Sequence, residues 1–144
     1  MLDLRFHHVG VGTTDFDEAI RIYGALGHRL YRRVDDPLLN VRVAFLSCPH
    51  EDGPWIEILA PLGEGGPLHS LIKRKLLPSP YHTCYAVGDL QIASLELQRL
   101  GFLPLGEGRR AVAFDHAFVA FFHHAALGLV ELVENPPSFR LSEA

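Results

Sequence analysis

Trp55-Ile56-Glu57-Ile58-Leu59 sets one carboxylate in the middle of an apolar run, and 74 residues later Leu129-Val130-Glu131-Leu132-Val133 does the same. Short aliphatic runs of this kind, bounded by loop-forming Pro54 and Gly128, read as buried strands. An unpaired carboxylate on the buried face would cost several kcal/mol, so each glutamate needs a partner. Shifting the chain against itself by the same 74 positions also pairs His8 with His82, Asp15 with Asp89, Ala19 with Ala93, Leu26 with Leu100 and Gly27 with Gly101. The matches fall on helix caps, helix ends and ionisable side chains, which marks a duplicated unit.

Each copy reads as a β-α-β-β-β unit. In the first, residues 6–12 alternate as a half-buried strand, and the Asp15 carboxylate stands where it can cap a following helix, with Glu18 placed to complete a capping box. Phe16, Ala19, Ile20, Tyr23 and Leu26 form the expected core face, and Gly27 sits where a left-handed C-cap costs least. Strands are expected at 28–34, 41–47 and 55–60, with Asp35-Asp36-Pro37 as a turn and 49–54 as a loop. The second copy repeats the order, with a strand at 81–87, a helix at 89–100 and strands near 102–105, 117–123 and 128–133. The expected fold is α+β: two paired βαβββ modules forming a cupped, partly closed mixed sheet. Residues 1–62 are the first module, 63–80 a connector with a short helix at 68–77, 81–134 the second module and 135–144 a tail, in one compact domain.

Composition narrows the function. The 144 residues are 48% apolar and 21% charged, enough for a core that needs no covalent staple. Cys48 and Cys84 stand outside any C-x-x-C spacing, which argues against a thiolate zinc site or a disulfide framework and for a reducing, cytoplasmic setting. A net charge of −4 with scattered basic residues leaves no nucleic-acid footprint. No run approaches the roughly 18 apolar residues of a membrane span, and the N-terminus lacks the basic-then-apolar pattern of a leader. Gly10-Val11-Gly12 lacks the third glycine of a dinucleotide loop, residues 63–66 lead into no Gly-Lys-Ser/Thr, and no Gly-x-Ser-x-Gly occurs.

Nine histidines remain to be explained, and two of them belong to the repeat. His8 precedes Glu57 by 49 residues, and His82 precedes Glu131 by the same 49. Each unit therefore carries one histidine in its first strand and one glutamate in its last, on positions whose two-residue neighbours share a face. If the units pair about a pseudo-two-fold axis, His8, Glu57, His82 and Glu131 converge into a His2Glu2 set. That donor array suits Zn2+, Co2+, Ni2+ or Mn2+ and leaves positions for water or substrate, the pattern of a catalytic site. His7, His28, His50, His69, His116, His123 and His124 have no matched partner and read as surface or packing residues, with His116 and His123 nearest to a pocket role. Cys84 reads as a small buried side chain facing the same region. Lys73-Arg74-Lys75 and Arg109-Arg110 are the basic groups open to an anionic ligand, although solvated faces account for both.

These residues resemble the vicinal oxygen chelate superfamily, which includes glyoxalase I, extradiol dioxygenases, antibiotic-resistance proteins and methylmalonyl-CoA epimerases. The resemblance spans about residues 6–134 and is nearest to the epimerases, through Phe6-His7-His8-Val9-Gly10-Val11, Val41-Arg42-Val43-Ala44-Phe45-Leu46, Ile56-Glu57-Ile58-Leu59-Ala60-Pro61-Leu62 and Gly128-Leu129-Val130-Glu131-Leu132. It implies a metal site at His8, Glu57, His82 and Glu131 and a divalent cofactor. It also implies a homodimer and proton transfer α to the carbonyl of an acyl-CoA thioester such as methylmalonyl-CoA. By the same analogy Glu131, with Glu57, carries the proton. Two alternatives stand beside it: a lyase of glyoxalase I type, and a metal-free module that binds a drug or metabolite. The chain departs from the epimerase pattern at Gly106-Glu107-Gly108-Arg109-Arg110 and at His123-His124-Ala125-Ala126. The acidic residue that epimerases carry ahead of the third strand falls near Leu38, which holds no proton.

Overall fold

A computed structural model describes residues 2–50 and 53–138; Glu51 and Asp52 of the expected loop and residues 139–144 of the expected tail lie outside the described residues. The first half forms β1 (Arg5–Gly12), α1 (Phe16–Ala25), β2 (Arg29–Asp36), β3 (Val41–Ser47) and β4 (Trp55–Pro61). A short helix, α2 (His69–Lys73), leads into β5 (Ser79–Val87), α3 (Leu90–Arg99), β6 (Leu103–Pro104) and β7 (Arg109–Ala111). A 3-10 turn at Val112–Phe114, β8 (Ala117–His124) and β9 (Gly128–Glu134) follow.

The strands build one mixed sheet in the order β2-β3-β4-β1-β5-β9-β8-β6, with β7 also paired to β8. β1 runs parallel to β4 and antiparallel to β5, and β5 runs parallel to β9, so the two halves meet along the β1–β5 seam. Alternation along each strand divides the apolar side chains between two faces. Val41, Val43 and Phe45 of β3 join Phe114, Val119 and Val133 on the inner face, while Ala44 and Leu46 lie with Phe16 beneath α1. Ala93 and Leu97 of α3 cover Ala120, Phe122 and Leu132 in the same way.

Both long helices start as expected. The Asp15 carboxylate accepts from the Glu18 N–H at 3.3 Å, and Asp89 from Ile92 at 3.0 Å. Both end at glycines in the left-handed region, Gly27 at φ 104° and Gly101 at φ 96°. The capping box is not completed. Glu18 turns away to a two-point ion pair with Arg21, and Thr13 Oγ1 satisfies the Asp15 N–H instead. Leu26, expected on the core face, is 65% exposed, because α1 ends at Ala25 and the chain has already begun to turn away from the sheet. The connector helix is shorter than expected: Lys75 adopts φ 56° and the Leu76 N–H returns to the Leu71 carbonyl, which closes the helix early.

The repeat is not ungapped throughout. Phe45 lies opposite Glu57 and Phe121 opposite Glu131, so β3 and β8 correspond at 76 positions, and the β8–β9 hairpin is shorter by two residues. The expected strand at 102–105 is also divided. β2 pairs with β3 along its length apart from one irregularity near Tyr31, whereas its counterpart is split into β6 and β7 by the Gly106-Glu107-Gly108 stretch.

The sheet does not close by strand pairing, but its curl brings the outer strand β2 against the 3-10 turn of the other half. Arg32 donates to the Ala113 carbonyl at 3.1 Å and pairs with Asp115 at 2.8 Å. Asp36, fully buried, accepts from Leu38 and Leu39 N–H through Oδ1 and from Val112 N–H through Oδ2 at 2.8 Å. A buried carboxylate holding three N–H groups is costly to remove, since the donors are left unsatisfied. Asp36→Ala is expected to lower the unfolding free energy by about 3 kcal/mol in urea titrations at unchanged slope; a loss under about 1 kcal/mol would show that this tie holds little.

Candidate metal centre

Four ionisable side chains meet where the two halves join. His8 of β1, His82 of β5, Glu57 of β4 and Glu131 of β9 are all buried, and each offers a donor atom within 4.8 Å of the other three. His8 Nε2 stands 3.3 Å from Glu57 Oε1 and 3.2 Å from Glu131 Oε1; His82 Nε2 is 3.4 Å from each. The two Nε2 atoms are themselves 3.1 Å apart. The register explains the convergence. Gly10 pairs with both Glu57 and His82, and Cys84 with both Glu131 and His8, so two small residues, 74 positions apart, lie along the seam beneath the larger donors. A Cβ on Gly10 would overlap the His82 ring, so only glycine lets that ring lie across the strand.

Alternation alone would send His7 to the opposite face from His8, and here the strand departs from alternation. Pairing runs Phe6 to Tyr85 and then His8 to Cys84, leaving His7 as an extra residue; on the partner strand it runs Gly10 to His82 and then Val11 to Pro80, leaving out Tyr81. These are two bulges at repeat-related positions, and a bulge re-aims the side chain it carries. His7 Nδ1 comes to 2.8 Å from His8 Nδ1, with its ring against Phe45 and Phe114. Tyr81 meets the His82 ring edge-on at 4.6 Å. His7 is therefore not a remote packing residue, and the signal that would have found it is a bulge, which a two-residue period does not register.

The donor set fits a divalent cation. Glu131 Oε1 is buried and makes no hydrogen bond among the described residues, although it lies close to both imidazoles. A buried carboxylate oxygen left without a hydrogen bond beside two imidazoles is a position that a cation would satisfy. Donors about 2.1 Å from one first-row ion stand roughly 3.0–3.4 Å apart for right-angled to tetrahedral arrangements, the separations that the His8 and His82 Nε2 atoms keep from each other and from both carboxylates. Protons can substitute for the cation. Burial works against charge on His8 and His82, but the adjoining carboxylates outweigh it, raising His8 and pushing His82 up to about 9. Burial likewise opposes charge on Glu57 and Glu131, and the imidazoles overcome it, holding both below the usual carboxylate range. His7 differs. Burial, then the neighbouring His8, lowers it to about 4.

The other expected groups lie elsewhere. His116 and His123 are exposed and do not join the cluster. Lys73, Arg74 and Lys75 are exposed around the end of α2. Arg109 is exposed on β7, while Arg110 lies over the Phe118 ring at 4.3 Å and donates to the His116 carbonyl. Cys84 is fully buried beside the cluster, and burial raises its thiol well above the usual value. Leu38 is exposed in the turn after β2.

Comparison with known proteins identifies the family. Residues 7–121 match the Glyoxalase/Bleomycin resistance protein/Dioxygenase superfamily, and the chain belongs to that superfamily. It is 31% identical over 120 residues, 83% of its own length and 87% of the relative's, to an ethylmalonyl-CoA/methylmalonyl-CoA epimerase of Cereibacter sphaeroides. It is 28% identical over 131 residues to the mitochondrial methylmalonyl-CoA epimerase of Bos taurus, covering 89% of this chain and 73% of that one. The crystal structure of methylmalonyl-CoA epimerase from Mycobacterium tuberculosis superposes with a TM-score of 0.79 at 28% identity, covering 97% of this chain and 92% of that one. Within the superfamily, the chain is an epimerase-like enzyme.

Two outcomes test the centre. Gly10→Ala is expected to weaken Co2+ binding at least tenfold in calorimetric titration while circular dichroism stays that of the folded chain; unchanged affinity would mean that the His82 ring does not need that space. In chelator-treated protein, His82, raised to about 9, contributes stability that is whole below about pH 6.5 and is lost as pH rises through 9. Glu57 and Glu131, both lowered, contribute stability that is present above about pH 4.5 and is lost as pH falls further. The thermal midpoint should therefore peak between those limits and fall toward pH 9.5. Added Zn2+ should abolish the alkaline fall, because a cation then replaces the protons; a flat midpoint from pH 6 to 9.5 without metal would contradict the assignment.

Proposed function

We propose that this chain is a divalent-metal-dependent epimerase that moves a proton at the carbon α to the carbonyl of an acyl-CoA thioester such as methylmalonyl-CoA. The names of its relatives support the substrate class. The observation that carries the chemistry is the approach of two carboxylates from opposite sides of the seam. Glu57 stands on β4 beyond β1, and Glu131 on β9 beyond β5. Their backbones are about three strand spacings apart, roughly 14 Å, yet their donor oxygens lie within 4.8 Å.

Epimerisation needs an acid/base group on each face of the carbon. Glu131, ionised, takes the α-proton from one face as the C–H electron pair passes into the thioester carbonyl. The proton returned to the other face comes from water by way of Glu57, whose carboxylate is ionised at the start and end of the cycle, and the proton on Glu131 then passes to the hydroxide left behind. Held by His8, Glu57, His82 and Glu131, a Zn2+, Co2+, Ni2+ or Mn2+ ion would supply a Lewis acid that stabilises the charge developing on the carbonyl oxygen. Asp36, the carboxylate nearest in sequence to Leu38, is unsuited to the second role: it is buried and already accepts three backbone N–H bonds. That leaves Glu57. Four converged donors weigh against a metal-free binding module. The unpaired Cys48 and Cys84 support a cytoplasmic setting, and the resemblance to epimerases supports a homodimer.

In deuterated water, the Co2+-loaded protein is expected to exchange the α-hydrogen of methylmalonyl-CoA, read by mass spectrometry, and Glu131→Gln to slow the exchange at least about 100-fold. Silence with methylmalonyl-CoA, together with turnover of methylglyoxal plus glutathione, would assign the chain to the lyase class instead.

A further inference from the structure

The two histidines of the centre are equivalent in the repeat and unequal in their support. His82 Nδ1 has no partner among the described residues; its ring is held by shape, between Gly10 beneath and the edges of Tyr81 and Phe121. His8 Nδ1 has a nitrogen 2.8 Å away, Nδ1 of His7. His7 and Tyr81 are the extra residues of the two bulges and are themselves 74 positions apart. The same backbone device therefore presents a ring nitrogen to one imidazole and a phenol ring edge to the other.

We propose that His7 is a positioning residue that accepts the Nδ1 proton of His8 and thereby keeps the Nε2 lone pair of His8 turned to the centre. Two imidazole nitrogens at 2.8 Å share one proton, and only two assignments are open to neutral rings. If His7 donated, His8 would carry its own proton on Nε2, the atom that stands 3.1–3.3 Å from the other three donors, and could ligate nothing. If His8 donates, Nε2 is free to bind, and the His8 ring cannot turn about its χ2 axis without breaking the bond. The bulge is what makes this possible, since a regular strand would carry His7 to the other face. Phe114 stacks on the His8 ring at 5.8 Å and Phe45 meets both imidazoles edge-on, so hydrocarbon covers the buried His8 side of the pair, while His7 is half-buried.

The inference rests on the reading of the cluster as a cation site, and the test separates the two. His7→Asn places an amide oxygen at the same bond distance from Cα as Nδ1 and retains an acceptor; His7→Leu has the same branching and no acceptor. Co2+ titrated into the full chain, followed by calorimetry and by the visible absorption of the bound ion, is expected to give His7→Asn an affinity within about threefold of the parent and His7→Leu one weaker by 10- to 100-fold. Nitrogen-15 NMR of the Zn2+-loaded chain, in which the cation replaces the extra proton of His8, is expected to find the His8 proton on Nδ1 and the His7 proton on Nε2. Equal Co2+ affinity for His7→Leu and the parent, or a proton on His7 Nδ1, would overturn the role of His7 and leave the cation site standing. A parent protein that binds no Co2+ would overturn both.

Discussion

Four ionisable side chains are withdrawn from water at one point, and everything else in the fold serves or tolerates that. Two carboxylates and two imidazoles within 4.8 Å, all buried, are unfavourable unless their charges offset one another or share a cation. Protons on the imidazoles can achieve this, and the donor set fits a divalent ion that would do the same. The centre is thus a joint between the halves made of four potential donors, and the strands that carry it, β4-β1-β5-β9, are the middle four of the sheet. Their central position gives the donors rigid support on both sides.

Duplication supplies the convergence, and departures from it supply the chemistry. Gly10 and Cys84 make room along the seam, one by having no side chain and the other by having a short one. The paired bulges turn His7 and Tyr81 inward beside the two histidines. Further out, the symmetry weakens: β2 runs nearly the length of β3, while its counterpart breaks into β6 and β7 around a glycine-containing loop, and the buried carboxylate of Asp36 in the first half grips the 3-10 turn of the second. Phe114, carried on that turn, lies against His8. The tie between the outer strand and the turn therefore also holds the hydrocarbon wall of the centre in place.

Much of this was legible beforehand, for reasons that differ by element. Asp15, Asp89, Gly27 and Gly101 act locally: capping a helix, or entering the left-handed region, depends on neighbours within a turn. Glu57 and Glu131 stood out because a charge inside an aliphatic strand has few fates. The 49-residue spacing then selected His8 and His82. Expectation and structure differ where local partners compete. Glu18 could bond the Asp15 N–H or Arg21, and an ion pair with Arg21, together with Thr13 below, prevailed. Leu26 belonged to the right periodicity but lay past the last helical turn.

The amino-acid order by itself determined the α+β class, the two βαβββ units, the helix caps and the identity of the four donors, because each depends on periodicity, local hydrogen bonding or exact repetition along the chain. Only the tertiary structure decided that His7 stands beside His8, that Gly10 must be bare for His82 to lie across it, and that Asp36 reaches the opposite half. Those facts come from register between strands far apart in sequence. A single unpaired residue there reverses the face of a side chain while leaving the pattern of residue types unchanged.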